Sequence, residues 1–148
     1  MSDMIQYSRP ESVLVVIYTC KYDCLLLERV KPNGFWQSVT GTMQWSETPE
    51  EAASREVYEE TGLDLNGLQD AKIKKTFRIL PEWQYRYAEG VKHNTEHLWY
   101  LKIPTIVEVT LNSNEHVSYC WESLEKAILK VTSWTNRDAL KHLRKQQI

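Results

Sequence analysis

Apolar residues in this chain fall into short runs with different periods. SVLVVIYT (12–19) is a β-branched apolar run, followed by the polar turn KYD and a second run, CLLLERV. Together they predict a buried β-hairpin. KPNG (31–34) is a turn signal, and FWQSVTG (35–41) after it reads as one short strand ending at a glycine. The pattern then turns helical. Thr48 is placed to cap a helix, with Pro49 at its first position, Glu51 completing a capping box and Gly62 supplying the stop. Ala53 and Val57, one turn apart, form a small apolar stripe suited to packing on a sheet. Further on, AKIKKTFRIL and HLWYLKIP predict strands separated by the aromatic loop PEWQYRYAEGVKHNTE, and HVSYCW a further strand. WESLEKAIL and SWTNRDALKHLRKQ predict C-terminal helices, the last capped by Ser133 or Thr135. No repeat or linker interrupts the order, so one mixed α/β domain over residues 1–148 is expected.

Composition narrows the classes. The 148 residues are 42% hydrophobic and 26% charged, with a net charge of −2, so no basic field favours nucleic acid or an anionic membrane. The N-terminal MSDMIQYSRPES has no apolar core of a secretory leader, and no run is as long as a membrane span. Cys20, Cys24 and Cys120 are an odd number without a zinc-ligand partner set. A cytoplasmic protein without a metal role for its cysteines is expected. His93, His97, His116 and His142 show no ligand spacing either.

One stretch resists the ordinary reading. REVYEETG (55–62) puts Glu56, Glu59 and Glu60 on an arc of about 100° near the end of the predicted helix. There they repel one another, and the macrodipole disfavours negative charge. An isolated EVYEE string is ordinarily a solvated face with an Arg55–Glu59 pair. A hard divalent cation reverses the balance, because Mg²⁺ favours a few carboxylates together with waters and substrate phosphates.

The surroundings decide the matter. GTMQWSETPEEAASREVYEETGL (41–63) reads G-x5-E-x7-R-E-U-x-E-E-x-G-U, with U aliphatic, at every fixed position. A chance match of the seven exact letters in such a chain is below roughly one in a million. This pattern resembles the signature of the Nudix hydrolases. The resemblance implies an α/β/α sandwich with a central mixed sheet, and hydrolysis of a diphosphate linked to another moiety with Mg²⁺ (or alternatively Mn²⁺) as cofactor. It implies Glu56, Glu59 and Glu60 as metal ligands, with Glu56 or Glu59 alternatively handling the attacking water. It further implies that Arg55 orients the carboxylates, that Gly41 offers its carbonyl to the metal, and that Glu47 ties the loop to the helix. Glu115 is the candidate for an additional acidic ligand from a later loop. Relatives often have glycine where Ser46 stands, so a different loop path is expected.

Segments outside the signature bear on the substrate. FWQSVTG, RYAEGVKHNTEH, SWTNR and the N-terminal RPxSVLVVIY, together with Arg29, resemble the Nudix subgroup that hydrolyses dihydroneopterin triphosphate. A small-molecule triphosphate is then the expected partner, and neither nucleic acid nor membrane. Arg29, Lys31 and Arg86 are candidates to offset its charge. Trp36, Trp83 and Tyr87 are candidates to stack on its ring, and Thr40, Asn94 and Ser133 to bond its edges. Trp36 and Trp99 also fit a core role, Trp121 and Trp134 read as anchors of the C-terminal helices, and Arg137 and Lys141 as a solvated helix face. A purine nucleoside triphosphate is the alternative substrate. A non-catalytic nucleotide sensor is disfavoured by the intact set of glutamates. Nothing in the pattern indicates an oligomeric state.

Overall fold

The computed structural model describes residues 6–147; the first five residues of the segment read above for a leader, and residue 148, lie outside this range. Seven strands and three helices follow in the order β1 (Glu11–Thr19), β2 (Asp23–Arg29), β3 (Trp36–Gln37), β4 (Val39–Thr42), α1 (Pro49–Thr61), β5 (Leu68–Arg78), β6 (His93–Ile103), β7 (His116–Ser123), α2 (Leu124–Lys130) and α3 (Trp134–Gln146). A 3₁₀ turn at Pro81–Arg86 lies in the loop between β5 and β6.

β1 is central to the sheet. It pairs in parallel with β6 from Glu11↔Thr95 to Thr19↔Ile103, and antiparallel with β4 from Ser12↔Thr42 to Val15↔Val39. The expected β1–β2 hairpin is therefore confined to the turn, where Tyr18 faces Cys24. Beyond it the strands diverge, since β4 takes the edge of β1 that β2 would need. β2 instead pairs with β7 and β3. The sheet thus has two leaves, β4–β1–β6–β5 and β3–β2–β7.

FWQSVTG is not one strand, because it crosses between the leaves. Gln37 pairs with Leu27 of β2, while Val39 pairs with Val15 of β1. At the break, Asn136 of α3 accepts the Ser38 N–H through Oδ1 (2.7 Å) and donates from Nδ2 to Ser38 Oγ (3.0 Å). A fully buried backbone kink needs such partners.

Helices cover both faces, which makes the mixed α/β/α sandwich. Val13, Val15 and Ile17 pack with Leu25, Leu27, Trp99 and Leu101 beneath Ala52, Ala53 and Val57 of α1. Leu14, Val16 and Tyr18 pack with Leu26, Leu98 and Tyr100 beneath α2 and α3. Burial on both faces explains why β1 is continuously apolar rather than alternating.

α1 has its predicted ends. Thr48 accepts from the Glu51 N–H, Glu51 reaches back to the Thr48 N–H, and Gly62 closes the helix at φ 75°. The next helix starts later than WESLEKAIL suggests: Trp121 to Ser123 still belong to β7, and Ser123 caps α2. Trp121 packs instead on the α1 side, with its Nε1–H donating to Val107 O at 3.1 Å. Trp134 is 51% exposed and anchors nothing in the core; Lys75 Nζ lies 5.7 Å from its ring. Arg137 is not a solvated face either, because it donates to Ile128 O and Val131 O and joins α2 to α3. Among the described residues no helix is long and apolar enough to cross a membrane.

Candidate metal centre and substrate cleft

The acidic end of α1 lies against β4. Glu56 and Glu60 are turned inward at 7% and 2% exposure, next to Thr40 and Gly41. The Thr40 N–H donates to Glu60 Oε1 at 3.4 Å. A methyl group added to Gly41 would fall 2.0 Å from Glu56 Oε2, so only glycine leaves room for this carboxylate. Burial pushes the Glu60 carboxyl well above its usual range, helped by hydrogen bonding to Glu56 and by the charges of Glu56 and Glu115. Burial raises Glu56 as well, against the pull of Glu60 and Arg55. Two carboxyls in this position must share a proton or a cation. Among the described residues no group of three or more His, Cys, Asp or Glu side chains is gathered closely enough to hold a metal ion as it stands.

Glu59 is half-exposed and turned to Arg55, which organises the cluster. Its guanidinium donates to Glu47 through Nε (2.6 Å) and Nη2 (2.8 Å), to Glu56 (2.5 Å), to Glu59 (3.1 Å) and to Thr42 O (3.1 Å). Glu47, and then Glu56, raise the Arg55 pKa, and Arg55 lowers that of Glu47. Glu47 also accepts the Gln44 N–H at 2.8 Å, closing the loop on itself. Arg55 thus bonds Glu47, Glu56 and Glu59 at once, and Glu47 bonds the loop backbone at Gln44. Ser46 does not take a left-handed φ, so the loop needs no glycine there.

Across from α1, the other leaf contributes Arg29 and Glu115. Arg29 ends β2, and burial and Arg86 lower its pKa while Glu60 and Glu115 raise it. Four charged groups from separate segments therefore lie within electrostatic reach of one another. The Trp83 ring stands 5.8 Å from both the Arg29 and Arg86 guanidinium carbons. Burial raises the Tyr87 pKa, with Arg86 and Thr42, next to Gly41, opposing. Behind Arg29, Gln37 Nε2 lies 3.2 Å from His116 Nε2, and His116 Nδ1 is buried without a partner. Burial, then Arg29, lowers the His116 pKa to about 4.

Other sequence candidates are placed elsewhere. Trp36 pairs with Glu28 and lies on the opposite face, its ring 4.3 Å from Lys130 Nζ. Asn94 shares that face with Glu96 and Leu98 and donates to Ser12 Oγ at 2.8 Å. Ser133 is occupied as the N-cap of α3, accepting the Asn136 N–H at 3.2 Å. The Thr40 hydroxyl donates to Val13 O at 2.8 Å, leaving its backbone N–H for Glu60. Lys31 is exposed and gives its carbonyl to Arg29. The side chains of Trp36, Asn94, Ser133 and Thr40 are thus engaged outside the charged cluster. Conversely, Gln37, His116, Asn136 and Arg9 were not singled out from sequence. SWTNR contains Asn136 and RPxSV contains Arg9, so the segments were visible but not which residue in each does the work.

The chain is similar to known proteins over nearly its whole length. The NUDIX domain profile matches residues 8–143. The dihydroneopterin triphosphate diphosphatase of Haemophilus influenzae is 40% identical over 143 residues, covering 93% of this chain and 89% of that protein. The enzyme of the same name from Escherichia coli is 38% identical over 145 residues, 95% of each chain. The solved structure of the E. coli dihydroneopterin triphosphate pyrophosphohydrolase superposes with a TM-score of 0.87 at 36% identity, covering 95% of this chain and 98% of that one. A profile that spans nearly the whole chain, and relatives that align from end to end, show that the chain belongs to the Nudix family.

Proposed function

We propose that this protein is a Mg²⁺-dependent diphosphatase that cleaves dihydroneopterin triphosphate to the monophosphate and pyrophosphate. The observation that carries the reading is the buried Glu56–Glu60 pair against Gly41, facing Arg29 and Arg86 across the cleft. The relatives named for this substrate, at about 40% identity over nearly full length, support the choice of substrate. Nudix hydrolases work with a divalent cation, and the residues that would hold one here are Glu56, Glu59 and Glu60, the Gly41 carbonyl and Glu115. Mg²⁺ bound there would supply Lewis-acid polarisation of phosphoryl oxygens and a more acidic water. The chain's own residues do the rest. Arg29 and Arg86 grip the triphosphate, bidentately where geometry allows. Trp83 and Tyr87 line the ring's approach, and Arg55 keeps Glu56 and Glu59 oriented. Glu56 or Glu59 receives the proton of the attacking water. Free Cys20, Cys24 and Cys120 suit a reducing cytoplasm, and the substrate is a small molecule rather than a nucleic acid.

The test is pyrophosphate release from dihydroneopterin triphosphate, dGTP and dATP, with Mg²⁺ and with EDTA. We expect metal-dependent turnover with kcat/KM for the pterin at least about tenfold above either nucleotide, and its loss in Glu56→Gln. A purine preference overturns the pterin assignment and keeps the chemistry; undiminished turnover by Glu56→Gln overturns the metal site.

A further inference from the structure

The signature loop is held from two sides, and only one of its two guanidiniums belongs to the signature. Arg55 holds Thr42 O and the Glu47 carboxylate from α1. From the opposite side Arg9, just ahead of β1, directs Nη1 to three carbonyls of the loop: Gln44 (2.9 Å), Trp45 (3.1 Å) and Glu47 (2.9 Å). Its Nε and Nη2 are anchored on Glu11 Oε1 at 2.9 and 2.7 Å. Glu11 Oε2 is in turn 2.7 Å from His97 Nε2 on β6. Two backbone ties run in parallel, from the Met43 N–H to Glu11 O (2.9 Å) and from Trp45 Nε1–H to Tyr7 O (2.9 Å).

We infer that Arg9 is a positioning residue of the hydrolytic site: it fixes the loop from which Gly41 and Glu47 act, and through Glu47 the Arg55 guanidinium that orients Glu56 and Glu59. The physical argument is one of donors and acceptors. A loop without a left-handed residue at Ser46 directs its carbonyls outward, and three of them meet at one point. The fork splits its work: Nη1 shares its two N–H groups among the three carbonyls while Nε and Nη2 stay on Glu11, and lysine's single ammonium cannot hold both sides at once. Cutting the outer tie frees Glu47 to move, and the misplacement passes along Arg55 to the carboxylates. This inference rests on the metal reading above.

The experiment compares wild type, Arg9→Lys, Arg9→Gln and Arg137→Gln. The last removes a guanidinium that also clamps backbone carbonyls, Ile128 O and Val131 O, but on the opposite layer. Mn²⁺ binding to the free protein is followed by electron paramagnetic resonance, and kcat and KM are taken on whichever triphosphate the wild type prefers. Both Arg9 variants should bind Mn²⁺ about tenfold more weakly and lose about tenfold in kcat with little change in KM, whereas Arg137→Gln should lower only Tm. Folded Arg9 variants with wild-type Mn²⁺ affinity and kcat overturn the inference, as does an equal loss in Arg137→Gln. Should the Arg9 variants not fold, Glu11→Gln weakens the anchor alone, and wild-type Mn²⁺ binding and kcat in it again overturn the inference. A wild type that binds no Mn²⁺ overturns the metal reading and the positioning role together.

Discussion

Gly41 shows how one missing side chain sets up a site. Its backbone passes so close to Glu56 that a methyl would overlap the carboxylate at 2.0 Å. Gly41→Ala should therefore fold, since the glycine does not take a left-handed φ, but displace Glu56. Kinetics should show kcat lowered by on the order of 10²-fold, the scale of an ångström's misplacement; an alanine variant with wild-type kcat would remove Glu56 from its role. Residues like this one are legible in sequence because the signature is local: Gly41, Arg55 and the glutamates stand at fixed spacings within one short segment. Arg9 is illegible by the same logic. Its acceptors lie 35–38 positions away, and nothing in the string RPES says where its guanidinium points. Trp36 and Ser133 mislead for a related reason: composition shows an aromatic and a hydroxyl, but only strand register and cap geometry show which way they face.

Among the elements, α1 is the one whose ends follow from its own residues, because caps act within a turn. β3 and β4 do not, because the break between them depends on a helix at the far end of the chain. β6 and β7 carry two buried titratable groups of opposite consequence. Burial raises Glu96 from 4.5 to about 7, with the Thr135 hydrogen bond and Lys75 opposing. The folded state keeps this proton when the unfolded chain has lost it, so Glu96 contributes stability that is present below pH 4.5 and lost as pH rises to about 7. His116 is lowered from 6.5 to about 4 by burial and Arg29, so its contribution is present above pH 6.5 and lost as pH falls to about 4. Each amounts to about 3 kcal/mol at most, and the two nearly cancel between pH 4.5 and 6.5. Glu96→Gln should uncover the histidine's slope. Urea unfolding should show the variant close to wild type near pH 4 and more stable by up to about 3 kcal/mol at pH 8. A constant offset across that range would mean Glu96 is not held protonated.

Over the whole molecule, little backbone pairing joins the two leaves of the sheet, although both cores pack side chains from each leaf. Tyr18 faces Cys24 at the turn, and Asn136 grips Ser38 where the chain crosses over, 98 residues away in sequence. Asn136→Ala leaves the buried Ser38 N–H unpaired, which should cost about 1–3 kcal/mol beyond the lost packing. Denaturant melts should show a lower midpoint, and exchange of the Ser38 amide should accelerate; a protected amide in the variant would mean that another acceptor replaces Asn136. The sandwich itself is predictable from the signature, while this seam is not, since long-range pairing decides where strands stop. The seam has a consequence for descent. The β4–β1 leaf and α1 carry Gly41 and the glutamates, and the β3–β2–β7 leaf carries Arg29, Gln37 and His116, with Glu115 just ahead of β7. Substitutions that reshape the Arg29 side can therefore accumulate with little change to the backbone that carries Gly41 and α1, except at Glu115, which we propose as a metal ligand.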